Sequence, residues 1–129
     1  MLFRKNNDRK PELPQKEREA IVDLLHLCLY ADAHIALKEG EFMSDVVEVI
    51  GWETQSSFGS YEARSIASAR AAKENDAAKK EFLSFAAARL QSKESKALAL
   101  DLCRQLFSSD GSTAETEAGL LGQIRASLK

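Results

Sequence analysis

The chain has little of what marks a secreted or disordered protein. Its 129 residues include only 2 Cys, 2 Pro and 6 Gly. Cys28 and Cys103 lie in separate apolar helical runs and lack the close spacing of a metal-binding or redox pair. We therefore expect buried thiols in a reducing compartment. The scarcity of Pro and Gly leaves little room for extended disorder.

Long apolar segments are also absent. The longest apolar segment extends from Ile21 to Ala31 and is interrupted by Asp23 and His26. It is much shorter than the ~20 residues that a membrane span needs. The N-terminal segment is charged and has no apolar core of the kind found in a secretory signal. A cytoplasmic protein with no transmembrane segment is the expectation.

The sequence contains no concentrated basic stripe, although its charge is unevenly distributed. Residues 32–53 hold six acids and one base, a local charge of −5, whereas residues 54–96 hold eight bases and five acids, a local charge of +3. A nucleic-acid-binding protein would concentrate its basic residues on one surface. The charge pattern therefore argues against nucleic acid and leaves cations and basic protein partners as ligands.

Helical periodicity is what the sequence does contain, and no window alternates with period two for long enough to be a strand. We predict an all-α, single-domain helical bundle of about six to seven helices at residues 14–129, after a flexible basic arm at residues 1–13. The apolar residues of the first helix surround its axis, which predicts a central, buried helix. The predicted inward stripe of the fourth helix is Phe82, Phe85, Ala86 and Leu90.

A short pattern occurs near both ends of the chain. In each copy a helix ends at an Asp, a short turn follows, and a Glu comes seven residues after the Asp. The two pairs are Asp32 with Glu39 and Asp110 with Glu117. The ordinary interpretation is that Asp stabilises the turn and Glu favours the start of the next helix. The repetition indicates two pseudo-repeated halves.

The order and spacing of these motifs resemble the TerB-like family, named from tellurite-resistance operons. Its members carry an Ala-Asp-Gly turn, an aliphatic residue and a Glu one turn later in each of two halves. The matching segments here are Tyr30-Ala31-Asp32 with Ile35 and Glu39, Ser109-Asp110-Gly111 with Glu117, and a middle helix beginning Tyr61-Glu62-Ala63-Arg64. Ala33 stands where Gly is usual and Thr113 where an aliphatic residue is usual, so the chain resembles a divergent member.

The resemblance implies an all-helical fold of two halves with acidic turns near a shared surface. It also implies a non-catalytic role in metal-stress responses, with metal sensing or binding at those acids and scaffolding of membrane-associated stress complexes. The first functional hypothesis is therefore a divalent-cation site formed by Asp32, Glu39, Asp110 and Glu117. Further candidate ligands are Asp23, His26 and His34. Oxygen ligands favour calcium, magnesium or manganese over zinc.

The alternative hypothesis is a helical protein–protein interaction module that uses no metal. Its acidic second helix, with Glu41, Asp45 and Glu48, would meet a basic partner. An exposed aromatic region at Trp52, Phe58 and Tyr61 is the candidate anchor. Core packing of Trp52 and a solvated acidic face are the ordinary interpretations. Self-association is left open.

An enzyme is the third hypothesis, and we expect none. The sequence has no phosphate-binding loop, no nucleophile elbow and no clustered His ligands. Asp23, His26 and Tyr30 lie on one line of the first helix and could act as an acid/base line. A buried histidine with its hydrogen bonds satisfied is the more ordinary interpretation of that spacing.

Overall fold

The computed structural model describes residues 13–31, 39–52, 57–110 and 114–128, with the backbone alone described at residues 31, 39–42, 107–110 and 114–118. These residues form six α-helices and include no strand. The helices are α1 (Gln15–Ala31), α2 (Glu39–Ile50), α3 (Phe58–Ala72), α4 (Asp76–Arg89), α5 (Lys93–Asp110) and α6 (Ala114–Ser127). The prediction of an all-α, single-domain helical bundle is confirmed.

Local sequence signals set several helix ends. The Pro14 carbonyl accepts the Glu17 and Arg18 backbone N–H groups at the start of α1. Asn75, predicted as an N-cap, accepts the Ala78 N–H at 2.7 Å and starts α4. After α2, Gly51 adopts a φ of +82°, where a side chain would be strained.

The first helix is the centre of the bundle, as predicted. Every side chain from residue 20 to residue 29 is buried, and α1 packs against α3, α4, α5 and α6. Two of these buried side chains, Asp23 and His26, are polar. Their burial requires partners from the surrounding helices.

Two neighbouring helices run in the same direction as α1. Contacts between α1 and α3 advance together along both helices, from Glu19 with Tyr61, through His26 with Ser65, to Tyr30 with Arg70. The fifth helix starts beside the start of α1, where the Glu17 carboxylate accepts hydrogen bonds from the Gln91 N–H at 2.7 Å and the Ser95 hydroxyl at 3.1 Å. Because α5 begins there and packs along α1, these two helices are also parallel.

Two predictions differ from the structure: one residue of the predicted core is exposed, and one residue of the predicted arm packs against the core. Phe85, assigned to the inward stripe of α4, is 64% exposed, and the buried positions of that helix are Leu83 and Ala86. The helix is rotated so that Phe82 is only partly buried. Residues 1–12 of the predicted arm lie outside the described residues, and Leu13 packs against the core.

Candidate functional site

A polar network in the interior joins α1, α3 and α4. At its centre is the carboxylate of Asp23, which is brought into the core by the apolar residues on either side of it in α1. Its Oδ1 atom accepts hydrogen bonds from the Ser65 hydroxyl at 2.6 Å and the Tyr61 hydroxyl at 2.8 Å. Its Oδ2 atom accepts from the Arg89 guanidinium. All the oxygen atoms of this buried carboxylate are therefore satisfied.

Arg89 is held in place at the end of α4 by four contacts. Its guanidinium donates to Asp23, to the Tyr61 hydroxyl at 3.3 Å and to the Phe85 carbonyl at 3.2 Å. It also stacks on the Phe85 ring, with 4.1 Å from the guanidinium carbon to the ring centroid. Burial opposes the charge of Arg89, but the hydrogen bond and charge of Asp23 outweigh it and raise the pKa. The same surroundings, burial first and then the Asp23 charge, raise the pKa of Tyr61.

His26 is joined to this network through Ser65. The distance from its Nδ1 atom to the Ser65 Oγ atom is 2.7 Å. Ser65 donates its only hydroxyl proton to Asp23, so its oxygen can only accept a hydrogen bond from His26. The Nδ1 atom of His26 therefore carries a proton and donates it to Ser65. The neutral ring then has a bare Nε2 atom, which is buried without a hydrogen-bond partner among the described residues and lies 3.8 Å from a Glu62 carboxylate oxygen. Burial lowers the pKa of His26 to about 4, against the opposing effect of the Asp23 charge.

The connectivity of these groups differs from that of a nucleophilic triad. In a Ser-His-Asp triad the carboxylate contacts the histidine, and the histidine accepts the serine proton. Here the carboxylate accepts the Ser65 proton itself, and His26 donates to Ser65. This order stabilises the serine as a neutral hydroxyl. The expectation that the chain is not an enzyme stays a prediction.

The structure brings together two of the three residues on the predicted acid/base line. Asp23 and His26 share the network, whereas the ring of Tyr30 lies against the Arg70 guanidinium, 5.9 Å from it. The tyrosine of the network is Tyr61. Sequence reasoning missed Ser65 and Arg89. Ser65 could have been found as the one polar residue on the buried stripe of α3, which continues with Ala69 and Ala72.

A cleft of about 410 Å³ lies over the network, between α3 and α4. Asp23, Tyr61 and Arg89 form one end of it, and Arg64, Ser68 and Phe85 line the remainder. Arg64 stacks over the Tyr61 ring at 5.4 Å. The cleft thus presents two guanidinium groups, three aromatic rings and the carboxylate of Glu19, with the acid of the network already paired.

The predicted metal ligands are placed only in part. Asp32 lies outside the described residues, as does His34. The backbone positions are Glu39 as the first residue of α2, Asp110 as the last of α5, and Glu117 in the first turn of α6, with their side chains outside the described part. Among the described side chains, no group of three or more His, Cys, Asp or Glu could hold a metal ion.

Two other predicted features are changed by the structure. The carboxylate of Asp23 is paired with a guanidinium, which makes it a poor additional ligand for a cation. Trp52, Phe58 and Tyr61 are not an exposed anchor: they are partly buried against the core. The Trp52 ring packs against Phe58 at 5.0 Å and Tyr61 at 5.6 Å between centroids. These aromatic rings therefore stabilise the fold where the segment after α2 meets the start of α3.

Comparisons with protein-family models, with curated proteins and with solved structures gave no match. The resemblance to the TerB-like family stays a prediction, as does the cytoplasmic location. In the part of the chain that the structure describes, no helix is both long and apolar enough to cross a membrane.

Proposed function

We propose that this chain is a non-catalytic helical domain that binds a divalent cation at one end of its bundle, where α1 and α5 finish. The proposed ligands are Asp32, Glu39, Asp110 and Glu117. The observation that carries the proposal is the parallel arrangement of α1 and α5, anchored at their starts by Glu17 and Ser95. Such a site requires the turns that follow these two helices to lie at the same end of the bundle.

Helix length supports this requirement. At about 1.5 Å per residue, α1 extends about 21 Å from Glu17 to Ala31, and α5 extends about 22 Å from Ser95 to Asp110. Both helices therefore finish at nearly the same height. Packed helices are about 8–10 Å apart, a separation that carboxylates from two following turns can bridge with one ion. Oxygen ligands favour calcium, magnesium or manganese.

The interior network supports a binding role over a catalytic one. Its carboxylate is paired with Arg89, its serine proton is directed to Asp23, and its histidine ring is neutral and buried. General acid–base chemistry needs a group that reaches the substrate and exchanges its proton near the working pH. These residues instead have the partners of a structural network.

The second candidate is the protein–protein interaction module, with a partner from a stress-response or membrane-associated complex as the TerB-like resemblance implies. One observation favours it. In α2 the Val46 and Ile50 side chains are buried, Glu48 is exposed and Asp45 is half-buried, so the described acids of this helix face outward. An outward acidic face would attract a basic partner.

Thermal unfolding of the metal-stripped full chain tests the cation site. With about 1 mM calcium, magnesium or manganese and a Kd near 10 μM, we expect about 2.7 kcal/mol of added stability. The variant Asp32→Asn/Asp110→Asn should lose this gain. The matched control Asp76→Asn/Asp101→Asn, which removes two exposed carboxylates from other parts of the bundle, should retain it.

Two outcomes would contradict the assigned site. No rise with any of these ions would contradict the proposal and leave the acidic face of α2 as the leading interpretation. A rise that persists in Asp32→Asn/Asp110→Asn would show that an ion binds elsewhere and would equally contradict the assigned ligands.

A further inference from the structure

The face formed by α3 and α4 carries an unusual surface residue. Phe85 is the one large hydrophobic side chain that is exposed among the described residues, at 64%. Isolated surface hydrophobic residues are common. This one stands between two hollows of about 410 and 370 Å³, and together with Phe82 and Ser68 it lines both of them. The face therefore carries a projecting aromatic ring beside a space that could receive one.

Small side chains of α3 lie beside the ring. Ser68 lines both hollows with Phe85 and Ala71 lines one of them, and both are exposed. We call the surface formed by Arg64, Ser68, Ala71, Glu81, Phe82 and Phe85 the α3–α4 face. Small residues let a facing helix approach closely, while the guanidinium of Arg89 supports Phe85 from within the same molecule.

Charge on the α3–α4 face is self-complementary. Arg64 lines only the hollow at the Asp23 end, and Glu81 lines only the hollow at the other end. Phe85 lies between them. A rotation of 180° about an axis that lies in the plane of the face, beside Phe85 and across the line from Arg64 to Glu81, exchanges the two ends and turns a second copy to face the first. A second copy placed in this way would set each Arg64 opposite the other copy's Glu81, and each Phe85 against the other copy's hollow.

We propose that the α3–α4 face binds a second copy of this chain and forms a symmetric dimer. An isologous interface requires that one surface carry both the projecting group and the space for it, and that its charges pair after a two-fold rotation. The α3–α4 face meets both conditions. It is two helices wide and about 21 Å long, near the lower limit of specific interfaces. The dimer is therefore weak and depends on concentration. This inference does not rest on the proposed cation site.

Sedimentation velocity on the full chain in EDTA tests the proposal. The average mass should rise from 14.2 kDa toward twice that value between about 10 μM and about 1 mM protein, the range in which a weak dimer forms. Phe85→Ser should weaken dimerisation at least about tenfold. Because Phe85 is exposed, this substitution removes no core contact, and circular dichroism should be unchanged. It does remove the ring that stacks on Arg89, so the thermal midpoint should fall slightly, by the loss of one cation–π contact.

Charge exchange distinguishes this face from any other mode of association. Arg64→Glu and Glu81→Arg should each weaken dimerisation about tenfold, since each places like charges opposite one another twice. The double variant Arg64→Glu/Glu81→Arg should recover to within about threefold of the parent, because the pairs form again with exchanged signs. Arg104→Glu, on the exposed side of α5, is the control and should have little effect.

Three outcomes would overturn the proposal. The first is that the chain stays monomeric at all concentrations. This outcome would overturn the proposal even if the α3–α4 face bound a different protein. The second is a dimer that is insensitive to Phe85→Ser. The third is a double charge variant that associates no better than the single variants. Since the buffer contains EDTA, none of these outcomes bears on the cation site.

Discussion

At the scale of single residues, Asp23 holds the interior network together. It accepts hydrogen bonds from Tyr61, Ser65 and Arg89, and only 7% of its side chain is exposed. Asp23→Asn would remove the charge that compensates Arg89, a residue that is itself largely buried. We expect the free energy of unfolding to fall by about 2–4 kcal/mol, measured by urea denaturation.

Two further variants define what that loss means. Asp101→Asn, on the exposed side of α5, should change the free energy of unfolding by less than about 0.5 kcal/mol. Asp23→Leu/Arg89→Met should recover only part of the loss, because apolar residues of similar volume can replace a buried ion pair but leave the Tyr61 and Ser65 hydroxyls without their acceptor. A loss below about 1 kcal/mol in Asp23→Asn would contradict the assigned role.

His26 predicts a pH dependence of stability. Its pKa is lowered to about 4 in the folded chain, whereas an exposed histidine has a pKa of about 6.5. Between these values the unfolded chain binds a proton that the folded chain does not. The contribution of neutral His26 to the free energy of unfolding is therefore fully present above about pH 6.5. It is lost as the pH falls toward 4, and the total loss is about 3 kcal/mol. Urea denaturation across this pH range measures it.

His26→Asn is the comparison that isolates this effect. The amide nitrogen of Asn can replace Nδ1 as the donor to Ser65, and the side chain does not titrate. The acids that face His26, namely Asp23 and Glu62, are present in both proteins, so the difference between the two pH profiles reports His26. Parallel profiles from pH 7 to pH 4 would show that the ring does not change its pKa on folding.

At the scale of elements, one carboxylate joins α1 to the start of α5. Glu17, with 3% exposure, accepts hydrogen bonds from Gln91 and Ser95 across the junction of α4 and α5. We expect Glu17→Ala to lower the free energy of unfolding by about 1–2 kcal/mol, because the Gln91 N–H loses its acceptor, whereas the Ser95 hydroxyl can still donate to the Ser92 carbonyl. Urea denaturation gives the total, and hydrogen exchange at the first turn of α5 locates the effect.

The isosteric variant and a surface control test that assignment. Glu17→Gln keeps a carbonyl oxygen as acceptor and should cost less than Glu17→Ala. Glu74→Ala, at an exposed position, should stay within about 0.5 kcal/mol of the parent. An equal loss in Glu17→Ala and Glu74→Ala would mean that the contacts to Gln91 and Ser95 contribute nothing measurable.

At the scale of the whole molecule, the central position of α1 separates the proposed sites. The cation site would lie beyond the ends of α1 and α5, whereas the dimer would form on the outer face of α3 and α4. The two proposals depend on different helices and use different readouts, thermal stabilisation by an ion and mass in EDTA. Either can fail without affecting the other.

The sequence by itself determined the class of fold and much of the helix plan, because those depend on short-range periodicity and local caps. Apolar residues all around α1 predicted its central position, and Asn75 predicted the start of α4. The same reasoning placed Phe85 inside, since a stripe of apolar residues does not define how a helix is rotated against its neighbours.

Only the tertiary structure decided which side chains meet. Asp23 and His26 were recognisable as polar residues in an apolar helix, but their partners lie far away in the chain: Arg89 is 66 positions from Asp23, and Ser65 is 39 from His26. The direction of α5 relative to α1 was equally beyond local reasoning. Hydrogen-bond pairing and helix direction depend on how distant helices pack, and a helical period carries no information about that packing.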